Sequence, residues 1–437
     1  METKKLLVGA GREIITPPIS TLLFGYRPDT VSTSVNDDLT VTSVMLEYGN
    51  TKAMLISIAV CLIQNALIDE IREKIEKETG VPKYNIIIGT THTHSGPITA
   101  GMPGWGTLNS EYCDNIMIPQ TIKSAVTAFN SRKPAKMGIN TTHSDVGINR
   151  REIDKYGNIL LGQNPWGPYD PIMTVINFRG LDGAPIINLI HYCCHGTASG
   201  CNHEITRDWS GPMIDRLEQQ SGCMTVFFNG AEGDVGPRLS NNMTTGDITF
   251  AMELGGIAAV DAARAYFGIK EYRSDIDLKV IDADIKLPYK ELLPFDVVES
   301  ALAKYVDPEK TVNISYLEYK HLKDIYDFYK SGKSAPEYFT FRQTLIAFGP
   351  VIFVPFPFEI FVEVTLRLRH YSKYQYTLCL SNSNGANSYF PSQDQLCRGG
   401  YEVKTFIAGN TFTLTDDADN KIICANLDLM EELKCTE

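Results

Sequence analysis

Long runs of consecutive apolar residues, more than strict alternation, pattern this chain, and such runs mark strands covered on both faces. Residues 52–63, KAMLISIAVCLI, form the first. Residues 66–79 then space Leu67, Ile68, Ile71 and Ile75 as a helical stripe with charges opposite, and Gly80 and Pro82 supply the stop. The apolar stretch YNIII at 84–88 follows, so the spacing predicts a strand–helix–strand unit with parallel strands. Further strands are predicted at Ile172–Phe178, Pro185–Tyr192, Met224–Phe228 and Tyr376–Leu380, with a strand pair at Leu345–Pro355 around a Gly-Pro turn. Helices are predicted at Ser210–Gln220 and Glu359–His370. Residues 289–338 are rich in charge and helix formers and read as a helical excursion packed on the sheet, and 404–437 as a C-terminal tail. No linker, repeat or low-complexity tract divides the chain, which predicts one domain over 1–437. The expected class is α/β: a large mixed, mainly parallel β-sheet core flanked by helices, with the active site at the strand C-terminal ends.

Several of those strands end in polar, glycine-rich loops that carry the candidate chemistry. Residues 89–97 read GTTHTHSGP. On an extended segment His92 and His94 would project to the same side, ~7 Å apart, which suits a metal ligand with a second imidazole beside it and equally suits two surface histidines. In residues 191–197, HYCCHGT, alternation puts His191, Cys193 and His195 on one face. A cysteine at a strand end is commonly a small buried hydrophobe, so His195 is the better ligand. The turn NGAEGDVGPR at 229–238 holds Glu232 and Asp234, residue types that turns favour anyway. Glu359 follows Pro355 and Pro357 and reads as a carboxylate complementing a helix N-terminus. Taken together, two strand-end histidines and a carboxylate make the N/N/O set of a catalytic zinc site that leaves a position open for water. HExxH is absent, so such a site must be assembled from separated loops. The Gly9-Ala10-Gly11 stretch is no dinucleotide fingerprint, because Ile14 stands where the third glycine belongs.

Composition narrows the classes. With 43% hydrophobic and 21% charged residues over 437 positions, the chain is long and apolar enough for a sizeable globular core. A formal net charge of −12 excludes nucleic-acid backbones and anionic lipid surfaces as natural partners. No stretch approaches the ~18 apolar residues of a membrane span. The start of the chain lacks a signal-peptide core, and the 10 cysteines are scattered without a CxxC pair. Reduced thiols and a cytoplasmic location are therefore expected.

The ordered series GREIITPP, FGY, GTTHTHSGP, GINR at 147–150, HGTASG, NGAEGDVGP, PFPFEIF and NSYFPSQDQLCRGGYEV resembles the neutral/alkaline non-lysosomal ceramidases over roughly residues 9–403. The resemblance implies zinc held by His92, His195, Glu359 and Tyr389. It implies His94 as a substrate-contacting imidazole that protonates the leaving amine, with Asp234 as a second candidate, and Arg150 facing the substrate's polar end or a developing oxyanion. The implied activity is a zinc-dependent amidohydrolase cleaving an N-acyl bond in a small-molecule or lipid-like substrate through activated water. The alternatives are a metal-dependent binding relative without catalysis, or an esterase acting on a non-lipid substrate. Two departures matter. The family's serine in the GDVGP loop is replaced by Gly236, which excludes an acyl-serine at this position, and Ala59 stands near the family's acidic residue in the first strand. The family also carries a C-terminal β-sandwich-like domain, whereas 404–437 is all that follows the last motif here.

Overall fold

The apolar runs become strands covered on both faces, but by a second sheet as well as by helices. The computed structural model describes residues 5–305 and 313–435. Residues 306–312 of the predicted helical excursion, 436–437 of the predicted tail and 1–4 of the predicted domain lie outside the described residues.

An eight-stranded sheet runs, edge to edge, Thr225–Asn229, Pro185–Tyr192, Ile172–Gly180, Lys133–His143, Leu7–Ile14, Thr40–Tyr48, Thr51–Ile58, Ile86–Thr90. Only its two outermost pairs, 185–192 with 225–229 and 51–58 with 86–90, are parallel. The pairs between them are antiparallel. The sheet is thus mixed as expected, with antiparallel pairing in the majority rather than parallel. The physical reason is the cover. Met54, Ile56 and Ile58 join the cluster under helices Asn65–Thr79 and Ile118–Asn130, while Ala53 and Leu55 point at a second, four-stranded sheet. An antiparallel strand sandwiched this way is apolar at every position, so the run reports burial and not direction.

The second sheet runs Leu278–Pro288, Tyr338–Phe348, Val351–Pro355, Tyr376–Leu380. Ile346, Phe348 and Phe353 pack against the first sheet; Leu345, Ile352 and Val354 pack against helices Val362–Tyr371 and Ala418–Cys435. The layers are helix, sheet, sheet, helix. Ile422, Met430 and Leu433 are buried in the outer cluster, so the segment expected as a tail is a structural layer. The excursion at 289–338 holds helices Phe295–Leu302 and Asn313–Ser331. Gly9 and Gly11 serve packing: a Cβ there would lie 2.0 Å from the Ala128 carbonyl and 2.2 Å from that of Ser124, so helix 118–130 rests directly on the strand backbone.

The eight-stranded sheet curls until its edges meet. Ser57 Oγ donates to the Phe227 carbonyl (2.6 Å) and Asn229 Nδ2 to that of Thr91 (3.2 Å). Three parallel pairs, 51–58 with 86–90, 185–192 with 225–229 and 351–355 with 376–380, then send their C-terminal loops to one place. Parallel pairing sets like ends side by side, and this is where the candidate site forms.

Candidate metal centre

His92 leaves the strand with φ of 61°, a left-handed conformation that few non-glycine residues adopt and that clusters at functional sites. Its N–H still bonds the Val60 carbonyl (3.0 Å), and His94 N–H bonds that of Gly196 (3.1 Å), so the two histidine loops are stitched together. The pair converges because of this bend, not because of strand alternation. Similarly, His195 separates from His191 and Cys193. His191 Nε2 bonds the Cys379 carbonyl (2.8 Å), and Cys193 sits in the hydrophobic core.

The rings then meet. His92 Nε2 lies 3.0 Å from His195 Nε2, and Glu359 Oε2 lies 3.6 Å and 3.2 Å from the same two atoms. His92 Nδ1 faces the Cys61 carbonyl at 3.0 Å and His195 Nδ1 the Glu232 carbonyl at 2.6 Å. A carbonyl only accepts, so each Nδ1 carries a hydrogen and each Nε2 turns a lone pair toward the other and toward a carboxylate oxygen. Positive charge among these three atoms would satisfy the lone pairs and the carboxylate together. One proton can bridge only one of the three separations, whereas a cation answers all at once. Tetrahedral zinc with bonds of about 2.0–2.1 Å sets its ligand atoms about 3.3 Å apart, which the observed triangle matches.

The electrostatics distribute charge unevenly over the three groups. Burial opposes charge on His92, yet Cys61 and Glu359 outweigh it and raise its pKa well above the ordinary value. Burial, Arg150 and His92 push His195 down to about 3. Burial raises the Glu359 carboxyl, but His92 and His195 prevail and hold it well below the usual range. Its Oε2 is buried without a hydrogen-bond partner among the described residues.

Glu359 is not at a helix N-terminus as expected. It begins a two-residue strand, Glu359–Ile360, paired in parallel with Tyr389–Phe390, and the helix starts at Val362. That register sets Tyr389 beside Glu359, and its hydroxyl accepts from Arg150 Nη2 (2.9 Å). Burial raises the Tyr389 phenol well above its ordinary pKa, with Arg150 opposing. Arg150 is 5% exposed and its Nε bonds Glu402 (2.9 Å), a carboxylate that also binds Arg151 (2.6 Å), so it is pinned beside Tyr389.

His94 Nε2 lies 3.3 Å from His92 Nε2, and its Nδ1 is buried without a partner among the described residues. Burial, His92 and His195 hold it neutral. Asp234 is not brought to the cluster. Its Oδ1 accepts from Val362 N–H (2.8 Å), capping the helix, and Oδ2 accepts from Asn149 Nδ2 (3.3 Å). Gly236 sits where a Cβ would approach Thr244 Cβ and Cγ2 to 2.8 Å, so Thr244 fills the space a side chain there would take.

Sequence reasoning missed Asn382, whose Nδ2 lies 3.2 Å from His92 Nδ1 and donates to Glu232 Oε1 (2.7 Å), and Glu402, which anchors Arg150. A polar residue just past a strand end is the one signal Asn382 offered. A cavity of about 200 Å³ opens on Glu359, Tyr389 and Asn382, walled by Leu62, Met102 and Leu317.

No protein-family model matches the chain. Among solved structures, the fold is similar to that of a neutral ceramidase from Pseudomonas aeruginosa, with a TM-score of 0.73 and 16% identity over 99% of this chain and 75% of that one. It is also similar to a ceramidase complexed with C2, with a TM-score of 0.71 and 14% identity over 99% and 75% of the two chains. At such identities the likeness is one of fold, and the four-layer architecture built here from its apolar runs is a neutral-ceramidase-like fold.

Proposed function

We propose that this protein is a zinc-dependent hydrolase that cleaves an N-acyl amide bond, with His92, His195, Glu359 and Tyr389 holding the metal. The observation that carries this reading is the pair of facing Nε2 atoms, 3.0 Å apart beside a buried carboxylate oxygen. Ceramide is itself an N-acyl amide, so the fold likeness supports that bond type. Zinc, when bound, acts as a Lewis acid toward a carbonyl and lowers the pKa of water from 15.7 toward ~7.

The chain's own groups supply the rest. Neutral His94, wedged between Tyr26 and the other imidazoles, takes a proton from the attacking water and returns it to the leaving amine. Arg150 fixes the Tyr389 hydroxyl and sets positive charge where an oxyanion develops. Gly236 offers no nucleophile, so attack by water is the route left at this position. A cavity of about 200 Å³ is small beside the ~300–1,000 Å³ of drug-sized sites, which favours a small N-acyl compound over a two-chain lipid.

Metal analysis of the purified protein tests the centre. About one equivalent of zinc is expected, lost in both His92→Ala and His195→Ala. Less than about half an equivalent, unchanged in these variants, would overturn it. A panel of N-acyl amides and esters then tests the reaction: zinc with no turnover on any member identifies a metal-dependent binding protein, and ester turnover alone an esterase.

A further inference from the structure

A second cavity, of about 850 Å³, shares no lining residue with the metal pocket. It lies between the hairpin of strands Gly147–Ile153 and Ile159–Asn164 and the loop around 392–398. Its volume falls in the ~300–1,000 Å³ range of small-molecule sites. Trp166 stands at its rim, 94% exposed. An indole buries about 150–250 Å² when covered, so leaving it in water forgoes a large apolar contribution. The side chain is displayed by a stiff turn. Trp166 N–H bonds Asn164 Oδ1 (3.0 Å), Gly167 N–H bonds the Asn164 carbonyl, and Pro165 and Pro168 bracket the turn. A rigid aromatic face loses little entropy on contact, as a stacking platform requires.

Amides, carboxylates and guanidinium groups supply most of the rest. Asn149, Arg151, Asp234 and Ser392 are buried in the lining. Arg151 is already engaged, bonded to Glu402, Gln395 and the Gly399 carbonyl. Among the described residues, the side chains of Glu152, Glu363 and Arg398 have no hydrogen-bond or ion-pair partner. A lipid tail would leave these polar groups unpaired, and a phosphate would meet more carboxylate than free cation. A sugar fits both features, since its C–H face lies on an indole while its hydroxyls donate to carboxylates and accept from amides and arginine.

We propose that this cleft binds a neutral or amino sugar, with Trp166 as the stacking platform and Glu363 as a hydroxyl or ammonium acceptor. The cleft and the metal pocket share no lining residue, and Glu402, which binds both Arg151 and Arg150, lies between them.

Trp105 and Trp209 are 4% and 1% exposed, so acrylamide quenching of tryptophan fluorescence reads Trp166. The probes are glucose, galactose, mannose, N-acetylglucosamine, glucosamine, cellobiose and lactose, each also titrated by calorimetry. At least one is expected to protect Trp166 and bind. Trp166→Ala should weaken that binding about tenfold or more, Trp166→Phe by no more than about threefold, and Glu363→Gln measurably, all with zinc content unchanged. Failure of every sugar to bind overturns the proposal, as does binding unaltered in Trp166→Ala. A fluorescence shift with phosphatidylcholine vesicles and none with sugars overturns it in favour of a lipid surface.

Discussion

At the scale of single residues, the groups that hold other groups are as specific as the ligands. Asn382 touches both His92 and Glu232, so Asn382→Ala should lower zinc affinity about 10–100-fold while leaving the fold intact, as measured by competition with a chelator. Gly236 is fitted to Thr244. Gly236→Ser should therefore destabilise by about 1–3 kcal/mol, and pairing it with Thr244→Gly, which removes both clashing carbons, should recover part of the loss in denaturant unfolding. Asp234 carries a pH signature. Burial pushes its carboxyl up to about 7, above the ~3.9 of an unfolded chain. A raised folded pKa stabilises fully below the unfolded value and loses that stabilisation as pH rises through the folded one. Asp234→Asn keeps an acceptor for the Val362 N–H but cannot ionise. Its stability relative to wild type should thus improve between about pH 4 and pH 8, with zinc content unchanged. A variant that sheds zinc instead would return Asp234 to the metal site.

At the scale of elements, what the sequence disclosed follows from what a strand or helix is made of. The strands at 172–180, 185–192 and 376–380 and the helix at 210–221 are local facts, written in runs and spacing, and they were legible within a residue or two. Glu359 and His92 were legible as candidate ligand types, but the geometry that brings them together was not. A two-residue strand paired with Tyr389 and a left-handed histidine depend on partners far along the chain. Cys193 and His195 differ for the same reason, since strand alternation stops at Tyr192. Helix Asn313–Ser331 was expected to pack on the sheet, but its main contacts are with helices Phe295–Leu302 and Tyr401–Ala408, and it places Leu317, 3% exposed, in the wall of the cavity beside Glu359. Leu317→Ala should cost about 2–4 kcal/mol in denaturant unfolding and enlarge the pocket. On a panel of N-acyl amides graded by acyl size, its kcat/KM optimum should move toward bulkier groups. An unmoved optimum would mean that the acyl group lies elsewhere.

At the scale of the whole molecule, the second sheet is what sequence reading could not supply, because burial on both faces looks alike whether helices or strands provide it. Its consequence reaches the site. His92 and His195 follow strands of the first sheet, and Glu359 follows a strand of the second. A metal held by all three therefore ties the two sheets together at the edge where their parallel pairs end. Such a tie adds RT ln(1 + [L]/Kd) to stability, about 4 kcal/mol at a thousand-fold excess over Kd. Chelation should accordingly lower the unfolding midpoint, and the effect should be spatially uneven. Hydrogen exchange should rise first in 91–97, 193–200, 357–361 and 381–389, the loops that carry or support the ligands, while strand 172–180 in the interior of the first sheet keeps its protection. If chelation leaves the midpoint unchanged, or loosens every layer equally, the metal does not bridge the sheets and the facing imidazoles must share a proton instead.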